Sequence, residues 1–277
     1  DEYGGSVQNC CRIVTEIING IRAACGRYPI CVRINGSDFV EGGITLAYAV
    51  EVAKTLEAAG ADALNVSCAV YETVPNMIEP NYYEEGWRKE LAKTVKAHVK
   101  IPVIAVNTIK FPATAEKLLE EGVSDFVGVS RGQMADPEWV NKARAGREDL
   151  IRKCMGCMQC NKSVVQDGYL SCAANPVTGR GTMYNDEYLI RSGAGRNVVV
   201  FGGGPAGMQA AITLAKRAFH VILLEQKSYL GGMAYLATVP PHKTMVAEFI
   251  KTLEAEMKEL GVDVRMNVTA DVATVKA

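Results

Sequence analysis

The stretch NVVVFGGGPAGMQAAITLAKRAFHVILLE, residues 197–225, decides the fold class. A short β-rich run (197–201) leads directly into Gly202, Gly204 and Gly207, spaced G-x-G-x-x-G. A helical pattern follows, then a second strand, HVILLE, ending at Glu225, 18 residues past the third glycine. A lone G-x-G-x-x-G says little. Between a strand and a helix, with an acid at that distance, it reads as a dinucleotide fingerprint. The glycines permit a tight turn and bring a pyrophosphate close to the helix N-terminus. Glu225 can accept a hydrogen bond from a ribose hydroxyl and disfavours a phosphate at the 2′ position. Gly231 and Gly232, in YLGGM, are expected to give a second close backbone approach to the nucleotide. A helix and a further strand follow over VAEFIKTLEAEMKELGVDVRMNV (246–268).

Upstream, one unit repeats. A helix-like stretch covers about 7–25, and then strands alternate with helices: YPICVRING (28–36), a helix over 44–60, ADALNVSC (61–68), a helix over 87–99, IPVIAVN (101–107), a helix over 113–122, SDFVGVSRG (124–132) and a helix over 136–146. Such alternation predicts a parallel sheet. The apolar run of 101–107 predicts burial on both faces. Four β/α pairs fit half of a (β/α)₈ barrel or an open doubly wound sheet. The strand ends carry Arg33, Asn65, Ser67, Asn107, Thr108, Ser130 and Arg131. Polar and cationic groups thus collect at one rim, as a phosphate-bearing cofactor requires. Arg33 stands within an apolar strand, so its guanidinium is expected to be withdrawn from water and to need an acceptor.

The chain has 277 residues, 48% hydrophobic and 22% charged, with a net charge of −1. A basic block that would recruit nucleic acid is absent, as is any apolar run near the roughly 18 residues of a membrane span. The expected partners are a small-molecule substrate and a nicotinamide nucleotide; self-association into a homo-oligomer is left open. The sequence begins at Asp1 without methionine and is expected to be a piece of a longer protein. Nine cysteines without a secretory leader point to the reducing cytoplasm and to thiols rather than disulfides.

Four of those cysteines cluster. Cys154, Cys157 and Cys160 form C-x-x-C-x-x-C, and Cys172 follows after eleven residues. Zinc is the rival ligand, but its usual spacing is two paired C-x-x-C knuckles. Three ligands in one tight loop with a distant fourth is closer to ferredoxin spacing, which favours a [4Fe–4S] cluster.

DEYGGS at the start, VRIN on a strand, SRGQMADPEW after the last strand of the first half, and CMGCMQC…C before GGGPAG occur here in one order. That order resembles the Old Yellow Enzyme superfamily, in the branch typified by 2,4-dienoyl-CoA reductase and trimethylamine dehydrogenase. The resemblance implies an α/β chain in three parts: the C-terminal half of an FMN-binding (β/α)₈ TIM barrel (1–150), an Fe–S segment and linker (151–195), and a partial Rossmann-like FAD/NAD(P)-binding domain (196–277). The first strand seen would be the fifth of the barrel. Arg33 matches the arginine at the flavin ring edge, Ser130 and Arg131 the pair on the FMN phosphate, and Asn107 and Thr108 the phosphate-proximal loop. Cys154, Cys157, Cys160 and Cys172 match the cluster ligands; Gly202, Gly204, Gly207 and Glu225 match the second nucleotide site. Tyr71 stands where dienoyl reductases carry a histidine, either as a proton donor or as an aromatic wall. The implied cofactors are FMN, FAD, a 4Fe–4S cluster and NAD(P)H, and electrons would pass from NAD(P)H through FAD and the cluster to FMN. The implied activity is reduction of an activated C=C bond of enoate or dienoyl-CoA type. An amine dehydrogenase running the other way, or a non-catalytic nucleotide-binding fragment, is the alternative.

Overall fold

The computed structural model describes residues 2–106, 108–184 and 186–276. The chain forms two compact units, residues 1–130 and 131–277. Both are mixed α/β with purely parallel sheets.

In the first unit, helix α1 (Val7–Cys25) precedes strand β1 (Cys31–Asn35). Ser6 caps α1 by accepting a hydrogen bond from the Asn9 amide (3.2 Å), and Gly26, at φ 62°, ends it. Then come α2 (Leu46–Ala58), β2 (Ala63–Ser67), α3 (Lys89–Lys96), β3 (Val103–Val106), α4 (Pro112–Glu120) and β4 (Phe126–Gly128). Strand order in the sheet is β1-β2-β3-β4, each strand beside its successor in sequence. Val103 and Leu64 are fully buried, as are Ala49, Ala53 and Val95 of the helices. Period-2 alternation of the strands explains this, since alternate side chains point to opposite faces.

The opposite face is open. Arg33, Asn65, Ile104 and Phe126 lie in register across the four strands. Arg33 is exposed and Phe126 is 57% exposed. The apolar run of β3 predicts burial on both faces; in the structure Val103 and Ala105 are buried and Ile104 and Val106 only half-buried. The expected strand over 124–132 is also shorter, because Arg131–Ala135 is already helical.

In the second unit, β5 (Asn197–Phe201), α5 (Pro205–Lys216), β6 (His220–Glu225), α6 (Thr244–Glu259) and β7 (Asp263–Met266) form a three-stranded sheet in the order β5-β6-β7. Its core joins Met208, Ala211 and Ile212 of α5 to Val221 and Leu223 of β6 and Ile250, Leu253 and Met257 of α6. Among the described residues, no helix is long and apolar enough to cross a membrane.

Candidate functional site

At the C-terminal rim of the first sheet, register places Arg33 beside Asn65, and Asn35 beside Ser67. The Arg33 guanidinium donates to Asn65 Oδ1 (2.6 Å) and Ser67 Oγ (2.7 Å). Its acceptors are thus neutral. As a residue Arg33 is exposed, on the open face of this four-stranded sheet, while its contact with Ser67 is part-buried. Its pKa is still lowered, first by partial burial of the guanidinium and then by the nearby Arg88 cation, with the Cys68 sulfur opposing. Thr108, just past β3, is 4% exposed, and its hydroxyl is buried without a hydrogen-bond partner. Asn107 lies outside the described residues. Ser130 is exposed. The Arg131 side chain lines the cysteine pocket, with Nη1 3.9 Å from Met158 Sδ.

Tyr71 opens a short 3₁₀ turn (Tyr71–Thr73) and is 86% exposed. Arg88, Glu79 and Cys68 escape a reading by motif. Arg88 is buried; its Nε donates to the Val106 carbonyl (2.9 Å) and lies 3.1 Å from Glu79 Oε1, while Nη1 reaches Cys68 Sγ at 2.6 Å. One side chain therefore joins the ends of β2 and β3. Its signal was present in the sequence: Arg88, Leu91, Ala92 and Val95 share the i, i+3, i+4, i+7 stripe, so a cation occupies a core-facing position.

The cysteine loop winds through two left-handed residues, Gly156 (φ 64°) and Met158 (φ 61°), one after each of the first two cysteine positions. Ser163, fully buried, donates to the Cys160 carbonyl (3.1 Å) and accepts from the Ser171 amide (3.0 Å), which returns the chain so that Cys172 meets the loop. Cys154, Cys157, Cys160 and Cys172 then line one pocket, walled by Met155, Met158, Ala173 and Ala174. Its empty volume, mouth included, is about 340 Å³. The Gly156 amide donates to Cys154 Sγ (3.5 Å). Burial pushes the thiols of Cys154 and Cys172 up, and backbone N–H groups oppose it, Gly156 at the first and Ala174 and Asn175 at the second. Among the described residues, no three His, Cys, Asp or Glu side chains are set to hold a single metal ion.

Arg152 fixes both ends of this loop. Its guanidinium pairs with Glu256 of α6 (2.5 and 2.8 Å) and donates to the Ala174 carbonyl (3.1 Å). Both side chains are nearly buried, at 10% and 12% exposure.

The glycine loop lies between β5 and α5. Gly202 adopts φ 90°, and Gly204 caps α5 with ordinary extended geometry (φ −74°). A Cβ at Gly207 would collide with the Gly202 carbonyl, whereas one at Gly204 meets only Gly232 Cα, 4.0 Å away. The buried Glu225 carboxylate accepts from the Gly203 amide (2.6 Å) and the Lys227 amide (2.8 Å). It therefore braces the glycine loop from within the protein. Gly231 and Gly232 have a packing reason of their own. Gly231 donates to the Gly203 carbonyl (2.7 Å), a Cβ there would meet Ile250, and one at Gly232 would press on Gly204.

Parallel sheets joined through helices, one opening on a strand–glycine-loop–helix turn, belong to the nucleotide-cofactor class of α/β proteins. The family is specific: the chain belongs to the NADH:flavin oxidoreductase / NADH oxidase family, which matches residues 1–150, and residues 197–272 match the FAD dependent oxidoreductase family. It is 47% identical over 280 residues to an NADH oxidase of Thermoanaerobacter brockii, covering 100% of this chain and 43% of that protein. It is 36% identical over 288 residues to a bilirubin reductase of Mediterraneibacter gnavus (strain CC55_001C), covering 100% of this chain and 44% of the relative. The solved 2-naphthoyl-CoA reductase complex superposes with a TM-score of 0.91 at 30% identity, over 100% of this chain and 42% of that one. The chain thus spans less than half the length of these relatives.

Proposed function

We propose that this chain serves an NAD(P)H-dependent flavin oxidoreductase that reduces an activated C=C bond of enoate or dienoyl-CoA type. The observation that carries this is the rim of the first sheet. There a fixed guanidinium, held by Asn65 and Ser67, shares the strand ends with the buried, unpartnered hydroxyl of Thr108. An unsatisfied buried hydroxyl is costly unless a water or a ligand completes it. A flavin with a phosphate tail would supply an acceptor for Thr108 and a site of negative charge for Arg33.

The strand order β1-β2-β3-β4, with one face open, supports an arc of a (β/α)₈ barrel over 1–150, since a doubly wound sheet reverses its order. Thr108 and Asn107 would lie by the FMN phosphate, with Ser130 and Arg131. Gly202, Gly204, Gly207 and Glu225, in a Rossmann-like domain over 196–277, would hold FAD. The four thiols of the 151–195 segment would hold a [4Fe–4S] cluster. All four line one pocket, and backbone N–H groups at Cys154 and Cys172 offset part of the burial that raises both thiols. When bound, these groups supply hydride and single-electron chemistry. The protein's share is to orient them, to keep a cation at Arg33 where reduction adds negative charge, and to place a proton donor. Tyr71 is the candidate donor by position. Its 86% exposure means that substrate or another segment must cover it before it can act selectively.

The test is anaerobic turnover of the full-length protein with NADH and an enoate. Stoichiometric NADH loss with formation of the saturated product is expected. NADH oxidation that requires dioxygen and leaves the alkene intact would overturn the assignment.

A further inference from the structure

The loops after β1 and β2 carry a feature that neither the flavin sites nor the cysteine pocket uses. Phe39, Trp87, Tyr83 and Tyr82 form a continuous run of rings. Centroids are 5.6 Å apart for Phe39–Trp87, 4.8 Å for Tyr83–Trp87 and 5.0 Å for Tyr82–Tyr83, with interplanar angles of 31–42°. The two ends of the run face solvent, Phe39 at 41% and Tyr82 at 52% exposure. Both loops follow the C-terminal ends of parallel strands, the end at which open and closed parallel sheets bind their ligands.

The backbone beneath the rings is strained. Phe39, Ala69 and Glu79 all hold positive φ (56°, 72° and 48°), which an L-residue rarely adopts, a bulky aromatic least of all. Such strain persists only when the surroundings enforce it. They do so here. Asn35 Nδ2 donates to Asp38 Oδ1 (2.7 Å) and the Ala69 carbonyl (3.0 Å), the Ala69 amide donates to the Ser37 carbonyl, and Thr73 Oγ1 donates to the Asp38 carbonyl (2.9 Å). The Trp87 indole donates to Glu79 Oε1 (2.7 Å), the carboxylate that pairs with buried Arg88. Arg88 in turn holds Cys68 and the Val106 carbonyl at the ends of β2 and β3, and β2 itself carries the Asn65 and Ser67 that hold Arg33. The ring run is thus bolted to the rim that carries Arg33. Its two end rings, Phe39 and Tyr82, are exposed, and Tyr83 and Trp87 between them are half-buried.

We propose that this aromatic run is a specificity wall for the substrate of the same rim, selecting activated alkenes whose double bond is conjugated to a flat aromatic ring. The proposal deepens the alkene-reductase assignment and rests on it. A ring stacked on Phe39 or Tyr82 gains attraction beyond its buried area, worth about 3- to 10-fold in affinity, which an alkyl group of similar size lacks. Glu79 is a positioning residue here, since it fixes the Trp87 indole and touches no substrate.

The experiment compares cinnamate with crotonate on the full-length holoenzyme, as kcat/KM under anaerobic NADH and as binding to the oxidised enzyme read by perturbation of flavin absorbance. Phe39→Leu and Tyr82→Leu keep apolar bulk and remove the π face. Each should lower the cinnamate-to-crotonate ratio by about 3- to 10-fold in both readouts. Tyr28→Ala, at the opposite end of β1, should leave the ratio unchanged. Glu79→Gln should raise KM for cinnamate more than it lowers kcat. Equal loss for both substrates, or an unchanged ratio in the two leucine variants, would overturn the wall. If neither alkene is reduced while cinnamate binding still falls in the leucine variants, the wall stands and the reaction assigned to the rim is the part that fails.

Discussion

Gly204 and Gly207 separate what the fold needs from what a nucleotide needs. Gly204 sits at the N-cap of α5 with φ −74° and ψ 170°, a conformation open to any L-residue. A methyl group there meets only Gly232 Cα at 4.0 Å, ordinary van der Waals contact. Gly204→Ala gains about 0.4–1 kcal/mol by restricting the unfolded chain. It loses about as much because alanine is a poor N-cap. The net change in stability should therefore lie within about 0.5 kcal/mol of zero. Gly207→Ala drives its Cβ into the Gly202 carbonyl. Relief requires moving the loop against the helix, at about 1–3 kcal/mol. Urea unfolding of the flavin-free protein measures both, and FAD retention is measured in parallel. Gly204→Ala should leave the unfolding midpoint in place and still shed FAD, because the space it fills is free in the protein and needed by a pyrophosphate. A stable Gly204→Ala protein with full FAD content would refute the placement of the nucleotide. A Gly204→Ala protein destabilised as much as Gly207→Ala would make the glycine a packing requirement only.

Glu256→Ala strands the nearly buried Arg152 guanidinium, so it should cost about 3–5 kcal/mol by chemical unfolding; it should also lower iron retention, since Arg152 ties Ala174 to the strand of chain entering Cys154. Arg33→Lys keeps the charge and loses the fork that reaches Asn65 and Ser67 together. Stopped-flow on the full-length enzyme should show alkene reduction slowed about tenfold, equivalent to ~1.4 kcal/mol, with reduction of FAD by the nicotinamide donor unaffected. Asp125 has its pKa lowered: burial pushes it up, but the Val103 amide and Lys96 outweigh that. A depressed carboxylate stabilises the fold above its ordinary value of 3.8 and loses that contribution as pH falls through the folded value. Asp125→Asn should therefore lower Tm at pH 7 and converge with the parent protein in acid.

The elements that sequence made legible were those with a period or a fixed spacing. The strand–glycine-loop–helix turn lies where G-x-G-x-x-G puts it, because only glycine serves at Gly202 and Gly207. The alternation of 28–128 gave a parallel sheet. Four cysteines line one pocket because Ser163 folds the intervening chain back, a role no motif announces. What stayed hidden depended on neighbours. An apolar strand implies that Arg33 needs acceptors, but not which; Asn65 and Ser67 of the neighbouring strand supply them only through the register. The pair Gly231 and Gly232, expected from sequence to approach the nucleotide, also packs on Ile250 and Gly204, a requirement no motif announces. The Arg88–Glu79–Cys68 node joins residues up to 20 positions apart, and only the helical stripe through Arg88 hinted at it.

The most direct measurement is metal and flavin content of the anaerobically purified full-length protein, beside its Cys157→Ala and Cys31→Ala variants. The parent and Cys31→Ala proteins should carry about four irons per chain with both FMN and FAD, and Cys157→Ala should lose the iron while retaining FAD. One zinc per chain without iron, or a single kind of flavin, would contradict the three-site assignment.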